Sequence, residues 1–183
     1  MTIQRGVLLV ILIVLAACGS VPQPVRVAPS PDAPVTVFVY FTDSSQNLPA
    51  APHPVPRQIL AAPTSEDQLR ATLEMLLQGP TEAERQAGLD SWFSDATAGM
   101  IQQVTLGEDG AAIISFHDVS RIIPNTSTSA GSSMLLSQLH ATVFQFPAVR
   151  TVTYQFNGSC DVFWNWLQAA CQPVSRDDWL MTQ

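Results

Sequence analysis

The chain has no lysine. All eight basic residues are arginines, set against fifteen Asp and Glu, and the net charge is −7. An acidic chain with so few cations lacks the basic patch that nucleic acid requires, so nucleic acid is excluded as a main partner. Cysteine is scarce too, three in 183 residues, too few for a fold built on disulfides. Histidine is equally sparse: His53, His117 and His140 are scattered, and no His-x-x-x-His or Glu-x-x-His spacing sets two metal ligands on one helix face. Gly107, Gly110, Gly131 and Gly158 stand singly and form no phosphate loop. No metal or cofactor is expected. A membrane-spanning run is also missing, because the apolar stretch Val7 to Leu15 is far short of the ~20 residues that cross a bilayer.

That short stretch has a different meaning. Arg5 precedes it and Leu15-Ala16-Ala17-Cys18 closes it, the anatomy of a secretory signal peptide. The ending resembles the lipobox of bacterial lipoproteins. The resemblance implies that residues 1–17 are removed, that Cys18 is diacylated on sulfur, and that the new N-terminus is acylated. Two or three acyl chains hold a protein stably where one would be marginal. The expected location is the extracytoplasmic side of a cell membrane, with the lipid as membrane partner. Residues 18–34 follow, with Pro22, Pro24, Pro29, Pro31 and Pro34 among few apolar residues. Such a segment cannot bury a core and reads as a semi-rigid tether.

Val35 to Phe41 is β-branched and aromatic throughout and is expected to be a strand buried on both faces. Val55 to Leu60 reads as a weaker strand, confined by Pro56 to a sheet edge or a strand end. Ser65 and Gln68 make a capping box for a helix whose apolar stripe is Leu69, Leu73, Leu76 and Leu77. Gly79 and Pro80 stop it, and Thr81 with Glu84 caps a short helix, Glu82 to Ala87, ending at Gly88. Met100 to Leu106 and Ala111 to Phe116 flank an Asp-Gly turn, a hairpin signal. Asn125 to Ser133 is expected to be a loop, with Ser132 capping a second long helix through Phe144. Its stripe is Leu135, Leu136, Leu139 and Val143, and Pro147 forbids its continuation. Val149 to Phe156 is the last strand. The expected fold is α+β, in the order ββαββαβ, with two long helices packed on one face of a small sheet.

The wording Leu76-Leu77-Gln78-Gly79-Pro80-Thr81-Glu82-Ala83-Glu84-Arg85, followed by Gly88-Leu89, resembles the GerMN domain of sporulation and spore germination proteins. The opening strand ending in Thr42-Asp43, the Asp109-Gly110 hairpin running into Ile114-Ser115-Phe116, and Gln145-Phe146-Pro147-Ala148-Val149 before the last strand follow the same order. The match covers 35–158 and leaves 159–183 as a C-terminal extension packed on the domain. The resemblance implies a non-catalytic interaction fold and an envelope protein as partner. It carries Gly79, Pro80, Thr81, Glu84 and Gly88 as the family motif, with structural roles.

Cys160 and Cys171 are expected to pair, since two cysteines in an exported chain usually do. A continuous helix would hold their Cα atoms ~16 Å apart, while a disulfide needs them within ~7 Å. The segment is therefore read as a short helical turn carrying Phe163, Trp164 and Leu167, reversing through Ala169-Ala170. Two other chemistries are weighed. Phe163 and one of the two tryptophans are expected to cover the end of the sheet. Set against that, Trp164 and Trp166 are candidate contacts for a protein partner or, alternatively, for a cell-wall glycan. His117-Asp118 is the one adjacent His–carboxylate pair that a hydrolase could use, but no serine nearby stands in a Gly-x-Ser-x-Gly elbow.

Overall fold

A computed structural model describes residues 33–45, 52–124 and 126–181. The lipobox, Cys18 and nearly all of the tether lie outside the described residues. The chain is α+β: β1 (Pro34–Asp43), β2 (Pro52–Leu60), α1 (Ser65–Leu77), α2 (Glu82–Gln86), β3 (Leu89–Asp90), β4 (Ile101–Leu106), β5 (Ala111–Phe116), α3 (Ser129–Phe144), β6 (Thr151–Phe156), α4 (Cys160–Trp166), β7 (Val174–Ser175) and α5 (Arg176–Met181). In place of one small sheet there are two, ordered β2-β1-β3 and β4-β5-β6-β7. β5 and β6 run parallel with α3 as the connection between them, and every other strand pair is antiparallel.

Sheet one corrects an expectation. β1 is buried on one face only: Val37, Val39 and Phe41 are in the core, while Thr36 and Phe38 are exposed. A strand carries successive side chains to opposite faces, and here the helices cover just one of them. β2 is an edge strand, as Pro56 requires. Pro54 and Pro56 lack N–H groups and so occupy positions whose amides would point away from β1. They deny that edge to a foreign strand. Two further edges, those of β1 and β4, are covered by side chains. Gln145 of α3 donates to Phe38 O at 2.6 Å and accepts from Phe38 N at 3.0 Å, and Thr142 Oγ1 accepts from Tyr40 N. On sheet two, Glu66 accepts the Leu106 N–H at 2.8 Å and Arg70 donates to Ile101 O, so α1 closes the β4 edge.

The two long helices are capped one or more residues away from their expected starts. Thr64, not Ser65, is the α1 cap, accepting from Asp67 N at 3.1 Å. Thr128, not Ser132, caps α3, accepting from Gly131 N at 3.0 Å, so Ser129 to Ser133 is helix and not loop. In both cases the cap is an extended threonine one residue before the first helical position, where its hydroxyl reaches the N3 amide. The α1 stripe Leu69, Leu73, Leu76 and Leu77 is fully buried. α3 departs from the single-stripe reading. Leu135, Leu139 and Val143 are buried but so are Ser137, Gln138, His140 and Thr142, and Leu136 is half-exposed. Two of these polar side chains satisfy sheet one: Thr142 accepts from Tyr40 N of β1, and Gln138 donates to Asp90 O of β3.

Candidate functional site

The family motif folds as a knot between α1, α2 and β2. Gly79 sits at φ +73°, and a Cβ there would lie 2.2 Å from the Phe93 carbonyl oxygen, so only glycine fits the turn. Thr81 and Glu84 form the expected capping box: Thr81 Oγ1 accepts from Glu84 N, and Glu84 Oε2 accepts from Thr81 N at 2.8 Å. Sequence reasoning missed the partner of this box. Arg57 of β2 donates both guanidinium arms to Glu84, at 2.7 and 2.8 Å, while lying over the Phe41 ring. This hydrogen bonding holds the Glu84 carboxyl down at about 2. Arg85 donates to Pro80 O, and Thr97 donates to Leu77 O at 2.6 Å at the end of α1. A depression of ≈ 250 Å³ lies over the motif, lined by Arg57, Pro80, Thr81, Glu82, Arg85 and Asp95. Its charged groups are largely occupied with one another, since Arg85 also pairs with Glu82.

At the other end the C-terminal extension is part of the core. Cys160 and Cys171 are disulfide-bonded with Cα atoms 5.5 Å apart. The helix between them ends at Trp166, and the chain reverses at Gln168, φ +58°, one residue earlier than Ala169-Ala170. Phe163 packs edge-on against Phe156 and close to Tyr154. Trp164 is only 3 % exposed. It is a core side chain, and the face a sugar would stack on is already covered. Trp166 is half-buried against Phe156 and Phe163.

β7 and α5 were not legible in the sequence, and they carry the residue that locks this end. Arg176 donates to the carbonyls of Phe144, Phe146 and Val149, and its guanidinium lies over the Phe144 ring. A cation at the C-terminal carbonyls of α3 also opposes the helix dipole. Beneath α5, His140 lies between Tyr154, 5.6 Å away and stacked, and Trp179, 5.2 Å away and edge-on. Its Nε2 and the Tyr154 hydroxyl are buried without hydrogen-bond partners among the described residues. Burial pushes the His140 pKa down to about 4 and the Tyr154 phenol up.

His117 and Asp118 are exposed at the end of β5. Asp118 accepts from Ser120, whose hydrogen bonds hold its carboxyl below the usual range. A wider cleft, ≈ 520 Å³, opens between the start of α1, the β4–β5 turn and Pro147–Arg150, and its lining contains neither His nor Cys. Among the described residues no three His, Cys, Asp or Glu are grouped to hold a metal. No described helix is long and apolar enough to cross a membrane.

Two sheets with helices packed on them, and a Gly-Pro-Thr-x-x-Glu turn between α1 and α2, make this a small α+β domain. Residues 38–160 match the family model described as "Germane: Sporulation and spore germination", two-thirds of the chain, and the chain belongs to that family. Among solved structures, the first GerMN domain of the sporulation protein GerM from Bacillus subtilis matches at 21 % identity and a TM-score of 0.50, covering 79 % of this chain and 99 % of that one. The tandem GerMN domains of the same protein match at 19 % and 0.49, covering 84 % of this chain and 48 % of that one. A candidate lipoprotein from Clostridium perfringens matches at 17 % and 0.44, covering 82 % and 95 %. At 21 % identity the likeness to the first GerMN domain concerns the fold alone. No curated protein sequence matches.

Proposed function

We propose that this chain is a lipid-anchored module of the cell envelope, held on the extracytoplasmic side through Cys18, whose domain binds a protein partner and performs no catalysis. Its setting would be sporulation, germination or envelope assembly, the field of the family it belongs to. The anchor rests on Leu15-Ala16-Ala17-Cys18 behind a short apolar run. The non-catalytic part rests on one observation: the polar groups that the family motif gathers, Arg57, Thr81, Glu84 and Arg85, bond to each other and to the fold. A general base or nucleophile needs a lone pair aimed at a substrate position, and these atoms are already engaged.

The test is made on the protein purified from its host membrane. Mass spectrometry is expected to show an N-terminal acylated Cys18, and crosslinking in whole cells is expected to trap a protein at the domain. A mature N-terminus other than Cys18 would overturn the anchor. A hydrolytic activity abolished by His117→Ala would overturn the non-catalytic reading.

A further inference from the structure

The outer face of sheet one has no role in that reading. It presents Phe38, Tyr40, Pro54, Pro56 and Leu60, with Phe38 41 % and Leu60 67 % exposed. One polar pair, Gln58 donating to Thr36 Oγ1, lies between the Phe38–Pro56 and Pro34–Leu60 rows. Arg57 is turned to the opposite side, onto Phe41 and Glu84, and the charged residue on this face is Asp90 at its β3 end, opposite Thr42. At the Tyr40 end the apolar surface continues across a groove of ≈ 240 Å³ to Trp179 and Leu180 of α5, the latter 60 % exposed. A largely apolar face on an otherwise acidic domain is the feature that marks a protein or membrane contact.

We infer that this face docks on the lipid bilayer itself, an inference that rests on the Cys18 anchor. Three observations select lipid as the occupant. The chain enters the domain on this face: Pro34 lies opposite Leu60 in the β1–β2 register. Sixteen residue steps separate it from Cys18, a contour of at most ~55 Å. The anchor therefore keeps the bilayer within reach, and a few inserting side chains suffice where they would not hold a free domain. The acidic surplus of the chain turns a general surface contact away from anionic headgroups, and this face carries its one carboxylate, Asp90, at the β3 end, away from Leu60 and the tether. Its composition, aromatic rings with a polar tip beside aliphatic residues, suits the boundary between headgroups and hydrocarbon. The prolines of β2 prevent strand addition at the edge, leaving the face, and not the edge, to make contact.

The experiment uses the mature acylated protein in vesicles of neutral phosphatidylcholine containing a diazirine-tailed phosphatidylcholine. After irradiation, lipid adducts are expected in peptides covering 34–40 and 52–60. The double variant Phe38→Asp, Leu60→Asp changes side chains that are 41 % and 67 % exposed, so it should stay folded by its cooperative thermal melt and lose those adducts. Adducts spread evenly over the domain, or unchanged in the double variant, would overturn the docking and leave the anchor standing. So would protein–protein crosslinks through this face, to a second copy or to another protein, in place of lipid. Failure of the protein to float with the vesicles would overturn the anchor, and the docking with it.

Discussion

Glu84 shows how one side chain can close a family motif. Its carboxylate accepts from Arg57 and from the Thr81 backbone at once, and its pKa falls from 4.5 to about 2. The sign follows directly. A carboxyl with a depressed folded pKa stabilises above its unfolded value, and that contribution is lost as pH falls from about 4.5 toward 2. Because the pair is partly open to solvent, Glu84→Gln should cost only about 1–2 kcal/mol at pH 7, and the gap from the parent should close by pH 2 in denaturant titrations. His140 acts in the same direction by another cause. Buried 94 % and neutral, with a folded pKa of about 4 against 6.5, it takes up a proton more readily in the unfolded chain. Stability is therefore lost as pH falls from about 6.5 to 4, by up to about 3 kcal/mol. His140→Phe should flatten the stability–pH curve in that window, and an unchanged slope would refute the assignment.

Among the elements, α3 depends most on its surroundings. Its side chains satisfy the edge of β1, and its own last carbonyls are satisfied by Arg176 from beyond the family core. Arg176→Ala should cost about 2–4 kcal/mol, since charge-assisted hydrogen bonds to several buried acceptors are lost together. Amide exchange at residues 144–150 should rise with it. The α1–α2 turn is held by geometry. Gly79→Ala combines a left-handed backbone with a collision against the Phe93 carbonyl. It should destabilise by at least about 2 kcal/mol in thermal melts.

At the scale of the whole molecule, one apolar core joins both sheets and all the long elements. Leu73 and Leu139, on α1 and α3, are both essentially inaccessible. Either Leu→Ala change should cost ~2–5 kcal/mol, a large share of the ~5–15 kcal/mol that stabilises a domain. A variant melting within a degree of the parent would show that the helix faces are assigned wrongly. The Cys160–Cys171 bond closes a loop of eleven steps, so it stabilises by about 3 kcal/mol at most. Its main effect is to hold the aromatic extension against β6.

What the sequence determined by itself was whatever rests on neighbours in the chain. The leucine stripe of α1, the stop at Gly79-Pro80, the Thr81–Glu84 box, the Asp109-Gly110 hairpin and the edge position of β2 all follow from spacing and backbone restriction within a few residues. Cys160 and Cys171 were matched because they are the two cysteines left in a chain read as exported once Cys18 is assigned to lipid. The tertiary structure alone decided the rest. It split the strands into two sheets, exposed one face of β1, buried both sides of α3, and decided that Trp164 is the tryptophan that joins Phe163 in the core. It also joined Arg57 to Glu84 across 27 residues and Arg176 to Phe144 across 32. Periodicity records that a side chain is apolar or that a helix has faces. Which surface meets which face, and which distant arginine satisfies a carboxylate or a helix end, is set by packing between segments far apart in the chain, where local pattern carries no signal.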